Sequence, residues 1–467
     1  MTTSISMTIG GREVKSDNEF PVSNPATGHV IARAPDCTQE QLDEAMSAAQ
    51  LAFRDWRADS DKRRELLLDC AREIRRNDGE LATLLTTEQG KPLRDSMAEV
   101  GSFAHHFEYY AEMRPAREVL VDDGITYAEV ERRPLGVVAT ITPWNFPLGL
   151  ASWKIAPALS AGNTVVSKPS PYTPLSTLRA GEILGRVLPP GVFNVVSGGD
   201  ELGRWITTHP VPRKVSFTGS IATGIQVAMA GAKDLKRVTL ELGGNDAAIV
   251  LDDANPSEIA ESLFWGAFAN NGQFCMAIKR LYVHESIHDE MVDLLSHYAA
   301  TIKIGNGLDE TTQLGPVNNA PQLQRVQELV GRAVEAGAMI TEGGERVEPG
   351  YFYRPTIVSG AQTGMPLVDE EQFGPALPII AYRDVEDAVE QANRTEYGLC
   401  GSVWSSDPDR GWQVASQLEC GLSWVNTHLP IPEGAPFGGV KHSGQGRENG
   451  VWGFEAMTEQ RVLHRTR

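Results

Sequence analysis

No stretch of this chain is apolar for long enough to cross a bilayer; the longest such region, 137–161, is broken by prolines and by Lys154. Cysteine is scarce, five residues in 467. Cys37, Cys70, Cys275, Cys400 and Cys420 are widely spaced, with no Cys-x-x-Cys pair. That argues against a disulfide framework or a structural zinc centre and for reducing surroundings. The ten histidines offer no spacing worth pursuing as a ligand set, so no metal is expected. Positive charge is short as well: a net charge of −19 leaves no basic face for phosphates, and nucleic acid is not an expected partner. Met1-Thr2-Thr3-Ser4 lacks a basic region followed by an apolar one. No signal peptide is expected, no membrane association, and a cytoplasmic enzyme is the default.

What remains is the composition of an ordinary globular protein, 41% hydrophobic and 22% charged, long enough for two or three domains. From Gln39 to about Arg114 apolar residues recur at three and four, the helical period. Asp123-Gly124 between apolar runs signals a hairpin. Strands then alternate with helices in two series, 137–241 and 247–426. Each series implies a parallel sheet covered by helices, so the fold class is α/β with two Rossmann-like domains. The expected division is a cofactor-binding domain from 1–117 and 137–243 and a catalytic domain from 244–445. A small β element, 118–136 with 446–467, is left to pair outside both, across a subunit interface.

Chemistry concentrates in a few segments. Asn270-Asn271-Gly272-Gln273-Phe274-Cys275 carries a thiol, the strongest nucleophile among neutral side chains. Upstream, Glu241-Leu242-Gly243-Gly244-Asn245 carries a carboxylate able to take its proton or activate a water. For an isolated pair the ordinary reading is that Cys275 is a buried small hydrophobe and Glu241 a surface charge, and the rest of the chain has to overturn it. Phe217-Thr218-Gly219-Ser220 to Gly224 is a strand, a glycine turn and a helix start, where amides face a pyrophosphate. Ile141-Thr142-Pro143-Trp144-Asn145-Phe146-Pro147 holds an amide between two prolines, a rigid donor to an oxyanion or a plain turn residue. Lys168, with Pro169 and Ser170 after a strand, suits a ribose hydroxyl or a phosphate; Glu371 and Phe373 suit a ribose and a flat ring.

Taken in this order, with Pro436-Phe437-Gly438-Gly439, these segments resemble the aldehyde dehydrogenase superfamily from about Asn24-Pro25 to the last strand. The resemblance implies an aldehyde dehydrogenase-like fold with an oligomerisation element, and oxidation of an aldehyde to its acid with NAD. Cys275 would form a thiohemiacetal and then a thioester, its oxyanion held by Asn145 and by the Cys275 N–H. Glu241 would activate the hydrolytic water, and Lys168 joins both the catalytic and the cofactor sets. The cofactor set further comprises Ile141, Thr142, Pro143, Trp144, Ser170, Gly199, Phe217, Gly219, Ser220, Gly224, Glu241, Leu242, Gly243, Glu371 and Phe373. Asn145, Phe146, Leu150, Trp153, Phe274, Met276 and Phe437 would line the substrate tunnel, and Glu448 would assist proton exit. A homodimer or homotetramer is implied.

Two features bear on specificity. Pro171 stands where many NAD-preferring members carry a glutamate, so NADP stays open beside NAD. The apolar tunnel suits aliphatic or aromatic aldehydes, and no arginine stands out as a carboxylate clamp. Glu433 near the tunnel mouth, with the acidic net charge, keeps amino- and betaine-type aldehydes open. The rival readings are a non-catalytic homologue and a cofactor-free thiol hydrolase. The hydrolase would want a histidine near Cys275, and 271–280 has none.

Overall fold

The structure, a computed structural model, describes residues 5–114 and 116–466. Met1-Thr2-Thr3-Ser4, on which the signal-peptide reading rests, lies outside the described residues. Among those described, no helix is long and apolar enough to cross a membrane.

Two large sheets carry the molecule. Five strands of the first are parallel, in the spatial order Phe193–Val195, Thr164–Lys168, Val137–Ile141, Lys214–Thr218, Arg237–Glu241. The chain enters at Val137–Ile141, runs out to one side, and crosses back to Lys214–Thr218 on the other. A crevice therefore opens at the carboxyl ends between those two strands, where α/β sheets take their ligands. Helices cover both faces, and apolar residues of every layer form one core, including Val138, Val165, Val215, Leu42 and Phe107.

The second sheet orders Met339–Glu342, Thr356–Ser359, Ala376–Tyr382, Ile278–His284, Asp246–Val250, Cys400–Trp404 and Leu422–Val425; only the first of these runs antiparallel to its neighbour. Only four residues separate Glu241, the end of the first sheet, from Asp246, the start of the second. The carboxyl end of one sheet thus meets the amino end of the other.

Some boundaries differ from those expected. Gly444–Gln445, expected in the catalytic unit, pairs antiparallel with Arg237–Glu241 and extends the first sheet. It caps the open edge of that sheet, which would otherwise leave its peptide groups unpaired. At the opposite edge stand two further antiparallel strands, Met7–Ile9 and Arg12–Val14. The third sheet is a three-stranded ribbon: Thr458–Thr466 pairs over its full length with Thr126–Pro134, which also pairs with Arg117–Asp122. At its turn, the Asp123 carboxylate accepts the N–H groups of Ile125 and Thr126.

The loop before the 93–111 helix is clasped closely by backbone, with the Asn318 side chain donating to the Glu88 and Gln89 carbonyls. A Cβ on Gly315 would stand 2.0 Å from the Gly90 carbonyl oxygen, and one on Gly307 2.2 Å from that of Lys91. Backbone cannot yield as a side chain does, so Gly315→Ala should cost about 1–3 kcal/mol as overpacking. The expected outcome is a lower Tm on differential scanning calorimetry; an unchanged Tm would contradict the close approach.

Candidate active site

The nucleophile segment lies where the sheets meet. Asn270, Asn271 and Gly272 are all left-handed, with φ of 49°, 60° and 70°. That costs little for glycine and asparagine and much for bulky residues. A Cβ on Gly272 would lie 2.3 Å from the Gly374 carbonyl oxygen, so this glycine is required twice over. The coiled segment delivers Cys275 to the wall of a cavity of about 470 Å³.

Phe146, Leu150, Trp153, Phe274, Met276 and Phe437 line that cavity with Cys275, as expected for the tunnel. Asn145 lies just behind the wall. Its carboxamide nitrogen donates to the Gln273 carbonyl at 3.1 Å, which leaves a second N–H for a ligand. Lys91, Arg94, Asp95, Glu99 and Trp265 also line the cavity, and no motif marks any of them. No arginine stands out from the sequence as a carboxylate clamp; the helix Leu93–Ala111 nonetheless brings Arg94 to the wall. Its guanidinium is already engaged, donating to the Gln313 carbonyl and lying 3.5 Å from Asp95.

Behind Asn145 sits a buried ion pair. The Lys91 ammonium donates to Glu99 at 2.5 Å and to the Asn145 carbonyl at 2.8 Å, and lies 3.7 Å from the centre of the Phe146 ring. Glu99 in turn accepts the N–H groups of Leu148 and Gly149 at the start of the helix Pro147–Ser160. The helix terminus, the carboxylate and the ammonium satisfy one another.

Burial pushes the Cys275 thiol pKa up, and Glu241, itself buried beneath Cys275, adds to the rise. Burial also raises the Glu241 carboxyl well above its usual range, with Glu448 adding to the rise and Lys154 opposing it. Glu448 is held by Lys154 at 2.6 Å and by the Ser216 hydroxyl at 3.1 Å, while its other oxygen has no protein partner. One oxygen of Glu241 is likewise unpartnered. Two buried acids that share one ammonium can hold and pass a proton.

The cofactor set gathers at the first crevice. Ser220 caps the helix Ile221–Lys233, and the Gly219 N–H donates to the Glu241 carbonyl. Phe217 packs on Gly219, and Leu242 packs on Gly224; Gly224 thus serves helix–strand approach rather than a ligand. Ile141 is buried and Pro143 half-buried, and the Thr142 and Thr218 hydroxyls are buried without protein partners. Trp144 and Phe373 meet edge to face at 5.3 Å. Glu371 accepts the Gly244 N–H, and a Cβ on Gly243 would lie 2.3 Å from its carboxylate. Gly199 caps the helix Asp200–Thr208 with open space over its Cα; Ser170 is buried.

Lys168 departs from expectation in one respect. It does not line the Cys275 cavity; the charges acting on it are Asp200 and Asp36, at the first crevice. Burial lowers its pKa to about 8. Its ammonium donates only to its own neighbour, the Pro169 carbonyl, at 3.3 Å.

Beyond Trp153 and Ser102, which it shares with the inner cavity, lies an outer chamber of about 330 Å³. His105, Tyr109 and Glu433 line it, with Glu433 3.6 Å from His105. No group of three or more potential metal ligands occurs among the described residues. His284 and His288 share a helical spacing, but they end a strand and begin a helix and turn to Ser286 and Asp289.

The profile of the aldehyde dehydrogenase family matches residues 13–463. A chloroplastic betaine aldehyde dehydrogenase of Beta vulgaris is 40% identical over 461 residues, 95% of this chain and 92% of that one. Betaine aldehyde dehydrogenase from Staphylococcus aureus, solved in complex with NAD+, superposes with a TM-score of 0.95 at 34% identity, covering 99% of this chain and 94% of the other. An NADP-dependent enzyme of E. coli superposes at 0.96 with 36% identity, covering 99% and 98%. Sequence, fold and site agree, and the chain belongs to the aldehyde dehydrogenase family.

Proposed function

We propose that this aldehyde dehydrogenase oxidises its aldehyde to the carboxylic acid with NAD, Cys275 serving as nucleophile and Glu241 as general base. The observation that carries this reading is the placement of Cys275 on the wall of a mainly apolar cavity with Glu241 buried beside it. The Cys275 sulfur bonds to the aldehyde carbon as its proton leaves through Glu241 or a water. The oxyanion is met by the free N–H of Asn145 and the N–H of Cys275. When bound, NAD supplies the acceptor for the hydride on that carbon. The thioester left on Cys275 is then attacked by a water whose proton Glu241 takes, the acid departs, and Glu448 with Lys154 carries the proton onward.

The crevice suits NAD. The Thr142 and Thr218 hydroxyls await partners there, the end of the helix at Ser220 offers amides, and Lys168 has only a weak bond to its neighbour. Asp200 and Asp36, close enough to raise the pKa of Lys168, would repel a 2′-phosphate and compensate for the missing acid at Pro171. The kcat/KM with NAD should exceed that with NADP at least tenfold; the reverse order would overturn this preference.

For the substrate, we infer an aldehyde whose far end is a cationic nitrogen, of the amino- or betaine-aldehyde type. Aromatic rings at Trp153 and Phe437 attract such a cation, as does Glu433 in the outer chamber. Lys91 and Arg94 do not oppose it, since Glu99 and Asp95 neutralise them. The names of the plant and staphylococcal relatives point the same way. A cytoplasmic location and a homodimer or homotetramer complete the reading. Val119, Leu120, Val121 and Val462, exposed on the three-stranded ribbon, support self-association, which light scattering would measure.

In a panel of aldehydes, kcat/KM for betaine aldehyde or 4-aminobutyraldehyde should exceed that for succinate semialdehyde. Glu433→Gln should reduce the cationic values about two- to fivefold, as for an exposed charge pair, and leave hexanal unchanged. A preference for the semialdehyde would refute the substrate reading.

Glu241→Gln should keep a burst of NADH equal to the enzyme concentration and lower the steady rate about 10²–10⁴-fold. Loss of the burst, or an unimpaired steady rate, would count against the general-base role. Because burial raises both Cys275 and Glu241, and both act deprotonated, the wild-type kcat/KM should climb as pH rises through neutrality. A flat profile there would argue against the pair.

A further inference from the structure

Lys279 follows the nucleophile by four residues and has no role in the chemistry so far. Its side chain is 2% exposed. The ammonium donates to three backbone carbonyls of the nucleophile turn: Cys275 at 2.6 Å, Phe274 at 2.9 Å and Ala277 at 3.4 Å. It also lies 3.5 Å from the Glu371 carboxylate. The remaining carbonyl of the turn, that of Met276, is bonded by His428 at 2.7 Å.

The Phe274 carbonyl and the Cys275 N–H belong to one peptide group. An ammonium on that carbonyl draws electron density from the peptide and makes its N–H a stronger donor. The same contacts fix the direction in which the N–H and the thiol point. Without Lys279 the buried Cys275 carbonyl would lack a partner, the Phe274 carbonyl would keep only the Ala277 N–H, and the turn would be held less firmly.

We propose that Lys279 is a positioning residue for the reaction, orienting and polarising the Cys275 peptide so that its N–H meets the oxyanion. Through Glu371 it also ties the nucleophile turn to the segment that faces the cofactor. The proposal rests on the reading of Cys275 as nucleophile. Charged groups acting on the thiol are Glu241, Lys279, Asp246 and Glu371, and of these only Lys279 favours the thiolate.

The test compares Lys279→Gln, which keeps a donor and loses the charge, with Lys279→Met, which loses both. Both should lower kcat, by about tenfold or more, given that losing a whole oxyanion donor costs about 10²–10³. The pH profile for alkylation of Cys275 by iodoacetamide should move upward by about one unit. In an Asn145→Ala background the further loss from Lys279→Gln should shrink, since both residues act on one oxyanion. Should Lys279→Met fail to fold, Lys279→Gln decides alone. If Lys279→Gln leaves kcat and the alkylation profile within twofold of wild type, the proposal is overturned. Cys275→Ala separates the two failures: aldehyde-dependent NADH formation surviving there would fault the nucleophile itself.

Discussion

An ammonium ion removed from water must find opposite charge or several acceptors, and this requirement shapes the whole active centre. Lys91, Lys154 and Lys279 are each almost wholly buried, and each has a carboxylate: Glu99, Glu448 and Glu371. Lys91 and Lys279 also take backbone carbonyls of the site, those of Asn145 and of the Cys275 turn. Lys154 reaches the buried carboxylates instead. The lysines therefore stand behind Asn145, Cys275 and Glu241 in turn. Removing any one would leave a buried carboxylate without its counter-ion, which costs more than the pair itself contributes. The side chains facing the aldehyde are held from behind by charge, and their freedom to move is correspondingly small.

That arrangement depends on how the sheets join. In an ordinary two-domain enzyme each sheet would offer its carboxyl end to the ligand. Here the first sheet does so, while the second turns its amino end to the site: the strands beginning at Asp246, Ile278, Ala376 and Cys400 all start beside it. The short connection from Glu241 to Asp246 imposes this, because there is no chain to spare for a reversal. The residues just before the second sheet's strands, Phe274 to Ala277 and Glu371 to Phe373, are therefore irregular backbone whose carbonyls turn to side chains. Lys279 and His428 donate to the first segment, and Arg325 and Gln322 to the second.

What the sequence made legible follows from the same physics. Cys275, Asn145, Glu371 and the turn at Gly219 sit in contiguous segments whose glycines, prolines and asparagines are demanded by local backbone geometry, so they stand out as motifs. The alternation of strands and helices likewise gave two sheets. The lysines did not stand out, because a lone lysine in a helix or strand carries no pattern and its partner lies elsewhere in the chain. Glu448 is 294 residues from Lys154, and the loop of Gly315 that clasps Gly90 is as invisible. Arg94 was missed because only the packing of the Leu93–Ala111 helix turns it toward the tunnel. The pairing of Gly444–Gln445 with the first sheet was missed because a two-residue strand has no period.

The electrical balance of the tunnel follows from these pairings rather than from its lining taken singly. Counted as residues, Lys91 and Arg94 would give the cavity a positive wall suited to a carboxylate. Counted as pairs, Lys91 is spent on Glu99 and on Asn145, and Arg94 on Asp95 and the Gln313 carbonyl. What a substrate chain meets is then mainly aromatic, with Trp153 and Phe437 free of any cation over their rings among the described residues, unlike Phe146 beneath Lys91. Beyond Trp153, Glu433 adds a charge that is two-thirds exposed and therefore screened, too weak to bind alone. On this reading the aromatic walls set how tightly a cationic tail is held. Glu433 sets chiefly the direction from which it enters.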